Sequence, residues 1–140
     1  MTAGYSGTPL PRKLGIHPGH HLTVLGRPDD VTLGDLPPDT TLHDTLTTTP
    51  PPDIVIAFLT SAADLHDTLQ QVRPAMAPTT ALWICWPKKS AVAAGHAAPT
   101  DLTENVIRDH ALPTGLVDTK VCAVDTTWSG LRLVIRRALR

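Results

Sequence analysis

The stretch PDIVIAFLTSAADL, from Pro52 to Leu65, joins an apolar run to the start of a helix. Ile54 to Leu59 is apolar throughout, which is typical of a strand that is buried on both faces of a parallel sheet. Ser61 and Asp64 stand three residues apart, as in a capping box, and apolar residues recur beyond them at steps of three and four. A buried strand that runs directly into an amphipathic helix predicts a sheet of the α/β class.

Further apolar runs on both sides of this unit predict the rest of the sheet. The segment TTWSG, Thr126 to Gly130, has the length of a hairpin turn, and apolar residues alternate with other residues after it. The chain is therefore expected to end in an antiparallel hairpin. The expected strands are His21–Leu25, Thr41–His43, Ile54–Leu59, Ala81–Trp86, Leu116–Val124 and Leu131–Arg136.

Two further helical segments are predicted outside the opening unit. Asp29 or Asp30 can cap a short helical turn, and Asp101 with Glu104 three residues on begins a longer helix. The small-residue span Ala91–Thr100 is expected to be a loop.

Strands that alternate with helices and then close in a hairpin predict a three-layer α/β sandwich with a mainly parallel sheet. A chain of 140 residues is long enough for one continuous core, so residues 21–140 are expected to form a single domain. Residues 1–20 are rich in Gly and Pro and are expected to form an ordered arm that lies on this domain.

Composition excludes several classes of protein. The apolar fraction of 41% and the charged fraction of 18% are those of a globular domain. A net charge of −1 argues against a nucleic-acid partner, although basic residues are concentrated in the second half of the chain. No run approaches the ~20 apolar residues of a membrane helix, and the first residues lack the apolar core of a secretory signal. We therefore expect a cytoplasmic protein without a membrane partner.

The order of these pieces resembles the Rossmann-like fold of class I S-adenosylmethionine methyltransferases. LGIHPGHHLTVLG corresponds to the first strand of that fold, PDIVIAFLTS to the fourth and VRPAMAPTTALWICW to the fifth, before a terminal hairpin. The chain also resembles a family of short actinobacterial proteins of unknown function, through AGYSGTPLPRKLGI, LWICWPKK, DLTENVIRD and GLVDTKVCAVDTTWSGLRLVIR. The resemblance implies a fold and assigns no activity.

The chain departs from the methyltransferases where their cofactor binds. A glycine-rich turn follows their first strand, whereas Gly26 stands alone here before Arg27. Between Arg27 and Asp53 there is also room for only one short strand and one helical turn, since each crossover takes at least ~10 residues. We therefore expect a degenerate domain that binds no cofactor.

In an open parallel sheet, ligands bind beyond the carboxyl ends of the strands. We expect the residues that follow the strands to share this edge, where Ser61 begins a helix and the lysine pair adds positive charge. The arrangement suits a phosphate, a carboxylate or an acidic peptide. The candidate ligand-binding residues are Gly26, Arg27, Thr60, Ser61, Trp86, Lys88, Lys89, Asp125 and Trp128.

Several of these candidates also have a purely structural interpretation. Lys88 and Lys89 can form a solvated loop, Thr60 and Ser61 can serve only as a helix cap, and Trp128 can pack on the sheet.

Neither cysteine chemistry nor a metal site is expected. A thiol inside a buried strand is inert, and in the strand order that the resemblance to methyltransferases implies, Cys85 and Cys122 lie two strand spacings apart, too far for a disulfide. The seven histidines include no set at ligand spacing, so no metal is expected.

Three functions remain open. The first is a non-catalytic, methyltransferase-like domain that binds a protein partner or a small anionic ligand at the carboxyl ends of the strands. The second is an enzyme, a transferase with a rearranged S-adenosylmethionine or nucleotide pocket. The third is a structural homo-oligomer that assembles through the exposed edge of the terminal hairpin.

Overall fold

A computed structural model of the chain describes residues 7–140, which contain one six-stranded sheet. The first six residues of the predicted arm lie outside this range. The strands are β1 His21–Leu25, β2 Thr41–His43, β3 Ile54–Phe58, β4 Ala81–Pro87, β5 Leu116–Ala123 and β6 Trp128–Ile135.

The strand order across the sheet is β2-β1-β3-β4-β6-β5. The first four strands in this order pair in parallel, and β6 runs antiparallel to both β4 and β5. This arrangement confirms the predicted α/β fold with a mainly parallel sheet and a closing antiparallel hairpin. Every residue of β3 and β4 is buried, as their unbroken apolar sequences predict.

Two helices cover what we call the first face of the sheet. The α-helices of the described chain are α1 Leu10–Lys13, α2 Ala62–Val72, α3 Lys89–Ala93 and α4 Glu104–Ala111. On the first face, α2 buries Leu65 and Leu69 and α4 buries Ile107 against alternate residues of β3, β4 and β6. This layer is the part of the structure that follows directly from helical periodicity.

The opposite, second face is covered without crossover helices. Leu14 and Ile16 of the arm and Val31 and Leu33 of the loop after β1 are all buried against it. The indole of Trp83 is wholly buried there, and its N–H donates to the Leu14 carbonyl oxygen at 3.1 Å. The third layer of the sandwich therefore consists of the arm and this loop.

The structure corrects the predicted segment after Asp29 and Asp30, which forms a turn and no helix. The span Ala91–Thr100, expected to be a loop throughout, contributes to α3.

Two further predictions concerned α4 and the hairpin. Thr103 caps α4 in place of Asp101, because its hydroxyl accepts the backbone N–H of Val106 at 3.2 Å. Trp128, expected in the hairpin turn, is the first residue of β6, and the connection is the short segment before it.

A membrane-spanning helix is not found anywhere in residues 7–140, since none of the helices there is both long and apolar enough.

The two cysteines are separated by β6. Cys85 in β4 and Cys122 in β5 are both in register with Gly130 of β6, and both thiols are free. Their Cα atoms are thus about two strand spacings, roughly 9–10 Å, apart, which is beyond the reach of a disulfide. Burial raises the pKa of the Cys85 thiol well above its ordinary value. It also raises the pKa of the half-buried Cys122 thiol, while nearby lysines oppose this effect.

We predict that native protein reacts with iodoacetamide at Cys122 before Cys85, because Cys85 is fully buried and its thiolate is strongly disfavoured. Mass spectrometry after timed alkylation measures the two rates, and the same reaction in urea provides the control, in which both thiols should react alike. Mild oxidation should leave the monomer without an internal disulfide. Detection of a Cys85–Cys122 bridge in folded protein would show that the strand order is wrong.

Candidate functional site

The predicted site residues lie at the carboxyl edge of the sheet but do not form one pocket. Gly26 follows β1, Thr60 and Ser61 follow β3, Lys88 follows β4, and the hairpin turn stands beside them. The turn adjoins β4 directly, since the backbone N–H of Lys88 donates to the Thr127 carbonyl oxygen at 2.8 Å. The individual contacts decide which of these residues face open space.

The turn after β1 is closed by the chain itself. Gly26 has φ +67°, and a Cβ atom placed on it would lie 2.9 Å from the Phe58 carbonyl oxygen. Arg27 folds back, so that its Nη1 donates to the Val31 carbonyl oxygen at 3.2 Å. The absence of a side chain at Gly26 therefore lets the backbone after β1 lie close to the end of β3. The hydrogen bond of Arg27 to Val31 closes the loop that follows.

The N-terminus of α2 is also occupied by internal groups. The Ser61 hydroxyl accepts the backbone N–H of Asp64 at 3.1 Å, which is the predicted cap. The Asp101 carboxylate accepts the backbone N–H of Ala62 at 2.8 Å, and the Thr100 hydroxyl donates to the Thr60 carbonyl oxygen at 2.6 Å. A negative charge is favoured at a helix N-terminus, and the segment before α4 supplies it. Thr60 and Ser61 thus join two segments of the chain.

Asp125 and Trp128 shape the hairpin. One carboxylate oxygen of Asp125 accepts the backbone N–H groups of Thr127 at 2.8 Å and Trp128 at 2.7 Å. The Trp128 ring is buried on the second face and meets Phe58 edge to face at a centroid distance of 5.2 Å. These contacts indicate that Asp125 holds the backbone of the turn and that Trp128 packs on the sheet, so both side chains have a structural role.

The remaining predicted residues, Trp86, Lys88 and Lys89, line one cleft of about 430 Å³ on the first face. We call it the lysine cleft. Its other walls are Ser129 of β6 and the segment that leads into α4, from Leu102 to Asn105. Trp86 and Ser129 are direct cross-strand partners, so the sheet itself fixes the floor.

The charge in the lysine cleft is positive. Glu104 is the acidic residue of its lining, and its carboxylate accepts a hydrogen bond from Arg108 Nη2 at 2.7 Å. Arg108 in turn binds Asp118 at 2.9 Å, and these hydrogen bonds raise the pKa of the guanidinium. In the described part of the chain, no ion pair involves Lys88 or Lys89. Thr103, Glu104 and Asn105 at the N-terminus of α4 also line the cleft, and the N-terminal end of a helix dipole favours an anion.

A second cleft of about 500 Å³ lies next to the hairpin turn and is more polar. It is lined by Asp30, Ser90, Ala91, His96, Thr126 and Thr127. Sequence reasoning did not find it, because its walls come from α3, from the loop after α3, and from two turns that have no chemical motif. Ser129 and Asn105 of the lysine cleft were also missed. Strand register could have found Ser129, which is opposite Trp86.

No group of three His, Cys, Asp or Glu side chains that could hold a metal ion occurs between residues 7 and 140. The His21 and His43 rings, on adjacent strands, make one contact of 3.1 Å between Nδ1 and Nε2.

Comparison with known proteins gives a family and a fold. Residues 12–137 match the model of DUF3052, which is described as a protein of unknown function. The sequence matches none of the curated proteins at a significant level.

Solved structures that resemble this fold share little sequence with the chain. A methyltransferase from Aquifex aeolicus that depends on S-adenosylmethionine has a TM-score of 0.60 at 12% identity, over 89% of this chain and 87% of that one. The magnesium protoporphyrin IX methyltransferase from Synechocystis PCC 6803 has a TM-score of 0.54 at 12% identity, over 85% and 75%. A Rossmann-superfamily protein from Streptococcus agalactiae has a TM-score of 0.53 at 11% identity, over 96% and 70%. The fold is therefore Rossmann-like and similar to that of methyltransferases.

We predict that Gly26→Ala lowers the free energy of unfolding by roughly 2–4 kcal/mol, because it adds a clash with Phe58 to the strain of a positive φ. Gly19→Ala is the matched control. Gly19 has φ +79° with nothing within 4 Å of an added Cβ, so the backbone strain alone, about 1–2 kcal/mol, is expected. Urea unfolding of both variants measures the difference. Equal losses would mean that the backbone after β1 does not touch β3.

Proposed function

Because the chain belongs to DUF3052, a family of proteins of unknown function, we propose its role from the geometry of the site. The proposed function is that of a non-catalytic, methyltransferase-like domain that binds a small anionic ligand in the lysine cleft. The observation that carries the proposal is the convergence of Lys88, Lys89 and the first turn of α4 on one cleft of about 430 Å³. The volume is that of a site for a small molecule.

The chemistry of the lining supports an anion. Lysine ammonium groups act as point charges for phosphate or carboxylate, and the Ser129 hydroxyl and Asn105 amide can add hydrogen bonds. The Trp86 indole contributes an apolar wall. Since Arg108 binds the Glu104 carboxylate, that acid competes weakly for the two lysines.

The non-catalytic character rests on the turn after β1. In the dinucleotide-binding sites of Rossmann folds, glycines at this position let the ligand approach the backbone. Here Phe58 occupies that approach, Arg27 ties the loop to Val31, and Val31 is buried in the second-face core. An adenosyl cofactor would have to displace a packed loop. We place the protein in the cytoplasm, in keeping with its two free thiols.

The polar cleft beside the hairpin turn favours a second candidate, a transferase with a rearranged pocket. His96, Asp30 and Ser90 line that cleft and include types of side chain used in proton transfer and nucleophilic attack. The Synechocystis methyltransferase was solved with bound S-adenosylhomocysteine. Binding of that compound is therefore the observation that would distinguish this candidate from the first.

We do not favour a homo-oligomer built through the β5 edge. The pairing of β5 with β6 is irregular between Asp118 and Lys120, and Lys120 is exposed on the edge strand. Bulges and lysines are features that protect edge strands from further pairing.

We predict that at least one compound in a panel of inorganic phosphate, citrate, nucleoside triphosphates, S-adenosylmethionine and S-adenosylhomocysteine raises the melting temperature. A compound at 100 times its dissociation constant stabilises by about 2.7 kcal/mol, which is several degrees for a domain of this size. The double substitution Lys88→Ala with Lys89→Ala should abolish the shift, because it removes both charges of the lysine cleft. Differential scanning fluorimetry, followed by calorimetric titration of each positive compound, measures the effect.

Lys120→Thr is the control, because it removes one positive charge from the opposite face and should keep the shift. A shift that survives the double substitution would place the ligand elsewhere. A shift confined to S-adenosylhomocysteine or S-adenosylmethionine would support the transferase, and no shift from any compound would reject a small anionic ligand of these classes.

A further inference from the structure

A line of cations crosses the second face of the sheet, away from the lysine cleft. Lys120 of β5 is in register with Arg132 of β6, which is in register with Trp83 of β4. The Lys120 ammonium lies 5.9 Å from the centroid of the Trp83 ring, so these side chains share one face. Arg140 lies close enough for its charge to act on Arg132. We call Lys120, Arg132 and Arg140 the cation row.

The cation row has only neutral hydrogen-bond partners. Arg132 Nη1 donates to the Thr119 hydroxyl at 3.1 Å, and Arg140 Nε donates to the Ile135 carbonyl oxygen at 2.7 Å. Among residues 7–140, the ion pairs of Arg108 with Glu104 and Asp118 include no member of the row. The first six residues of the sequence contain no Asp or Glu. Within the part of the chain that the structure describes, no acidic side chain therefore forms an ion pair with these three cations.

Such an arrangement opposes folding. Like charges directly opposite each other on neighbouring strands are destabilising, and Lys120 and Arg132 are direct partners. Burial of the guanidinium, and after it the charge of Arg140, lower the pKa of Arg132 from its ordinary value. A sheet that retains adjacent, uncompensated cations would be relieved by an anion from outside the domain.

The shape and chemistry of the surface indicate what that anion is. Neither the lysine cleft nor the polar cleft beside the hairpin turn is lined by a member of the cation row, so the surface fits an extended partner better than a small molecule. The Trp83 ring beside the row is wholly buried and offers no face on which a nucleic-acid base could stack. Arginine forks pair well with the carboxylates of Asp and Glu.

We propose that the cation row binds an acidic peptide segment of a partner protein. The distribution of charge supports this direction of attraction. Residues 71–140 carry nine Lys and Arg against five Asp and Glu, whereas residues 1–70 carry three against eight. Although the net charge of the whole chain is −1, its second half is positively charged and can attract an acidic segment electrostatically.

The proposal is independent of the lysine cleft. Trp83 precedes Pro87, the end of β4, by four residues, which is about 13 Å along the strand. The cleft also lies on the first face, with Trp86, whereas the row lies on the second face, with Trp83. Either site can therefore be lost without the other.

The test uses a fluorescein-labelled octaglutamate peptide and the full chain, with binding followed by fluorescence anisotropy at about 50 mM NaCl, where screening is weak. Binding is expected, with an affinity that falls as salt is raised. Lys120→Thr with Arg132→Thr should weaken binding about tenfold or more, because threonine keeps the strand and removes both charges. Lys89→Thr, which removes one charge at the lysine cleft, should change the affinity less than twofold. Circular dichroism verifies that each variant is folded.

Four outcomes would overturn the proposal. They are absence of peptide binding up to about 1 mM protein, an equal loss in Lys89→Thr, tighter binding of an octanucleotide RNA than of the peptide, and self-association at low salt that the double substitution abolishes. The third would assign the surface to nucleic acid, and the fourth to a second copy of the chain.

A measurement of stability separates the charge of the row from a purely structural role. Raising NaCl from about 50 to about 500 mM should raise the melting temperature of the wild type more than that of Lys120→Thr, since salt screens repulsion between the exposed Lys120 and the half-buried Arg132. General effects of salt on folding are common to both proteins. An identical response would mean that the row is not under electrostatic strain, and would remove the reason to expect an external anion.

Discussion

The fold depends on the need to cover both faces of β3 and β4, which are buried along their entire length. Helices α2 and α4 satisfy this need on the first face, whereas among the described residues no such pair of helices packs on the second. There the arm and the loop after β1 supply the apolar contacts, and the Trp83 indole fixes the arm by its hydrogen bond to Leu14. A buried indole N–H without an acceptor is costly, so this bond also selects where the arm lies.

Because the loop after β1 packs on the second face, it also determines which part of the carboxyl edge of the sheet is open. The loop after β1 is part of the second-face core, since Val31 and Leu33 are buried in it. Gly26 then serves contact between β1 and β3, and a ligand can no longer enter between the backbone and that loop. Open space at the carboxyl edge is instead bounded by β4, β6, α3 and α4. The two clefts described at this edge thus lie beside the later strands, which is where the proposed ligand site is placed.

The sequence predicts what depends on local pattern. Unbroken apolar runs identified the buried strands, and Ser61 with Asp64 identified the start of α2, because these signals act within a few residues. The carboxylate of Asp101 on Ala62 is different, since it joins residues that are 39 positions apart and replaces the predicted role of Asp101 in α4. Trp128 was placed in a turn because TTWSG has the composition of one, whereas its contact with Phe58 extends β6 to include it. Which candidate residues face a cleft follows from such long-range contacts, so sequence order alone did not separate Lys88 from Ser61.

The two basic surfaces obey one electrostatic rule, although they lie on opposite faces. Carboxylates of the second half lie in close contact with positive groups. Asp101 accepts a hydrogen bond at the N-terminus of α2, and both Glu104 and Asp118 bind Arg108. Five acidic residues in the second half cannot serve nine cations, and three of the five are used in those contacts. A fourth, Asp125, holds the backbone of the hairpin turn. The cations of the lysine cleft and the cation row are five of the eight Lys and Arg in this half that form no ion pair within residues 7–140, and each set lies together on one surface. Because concentrated like charge lowers stability, the two proposals rest on one physical argument, that a bound anion would relieve the repulsion among these cations.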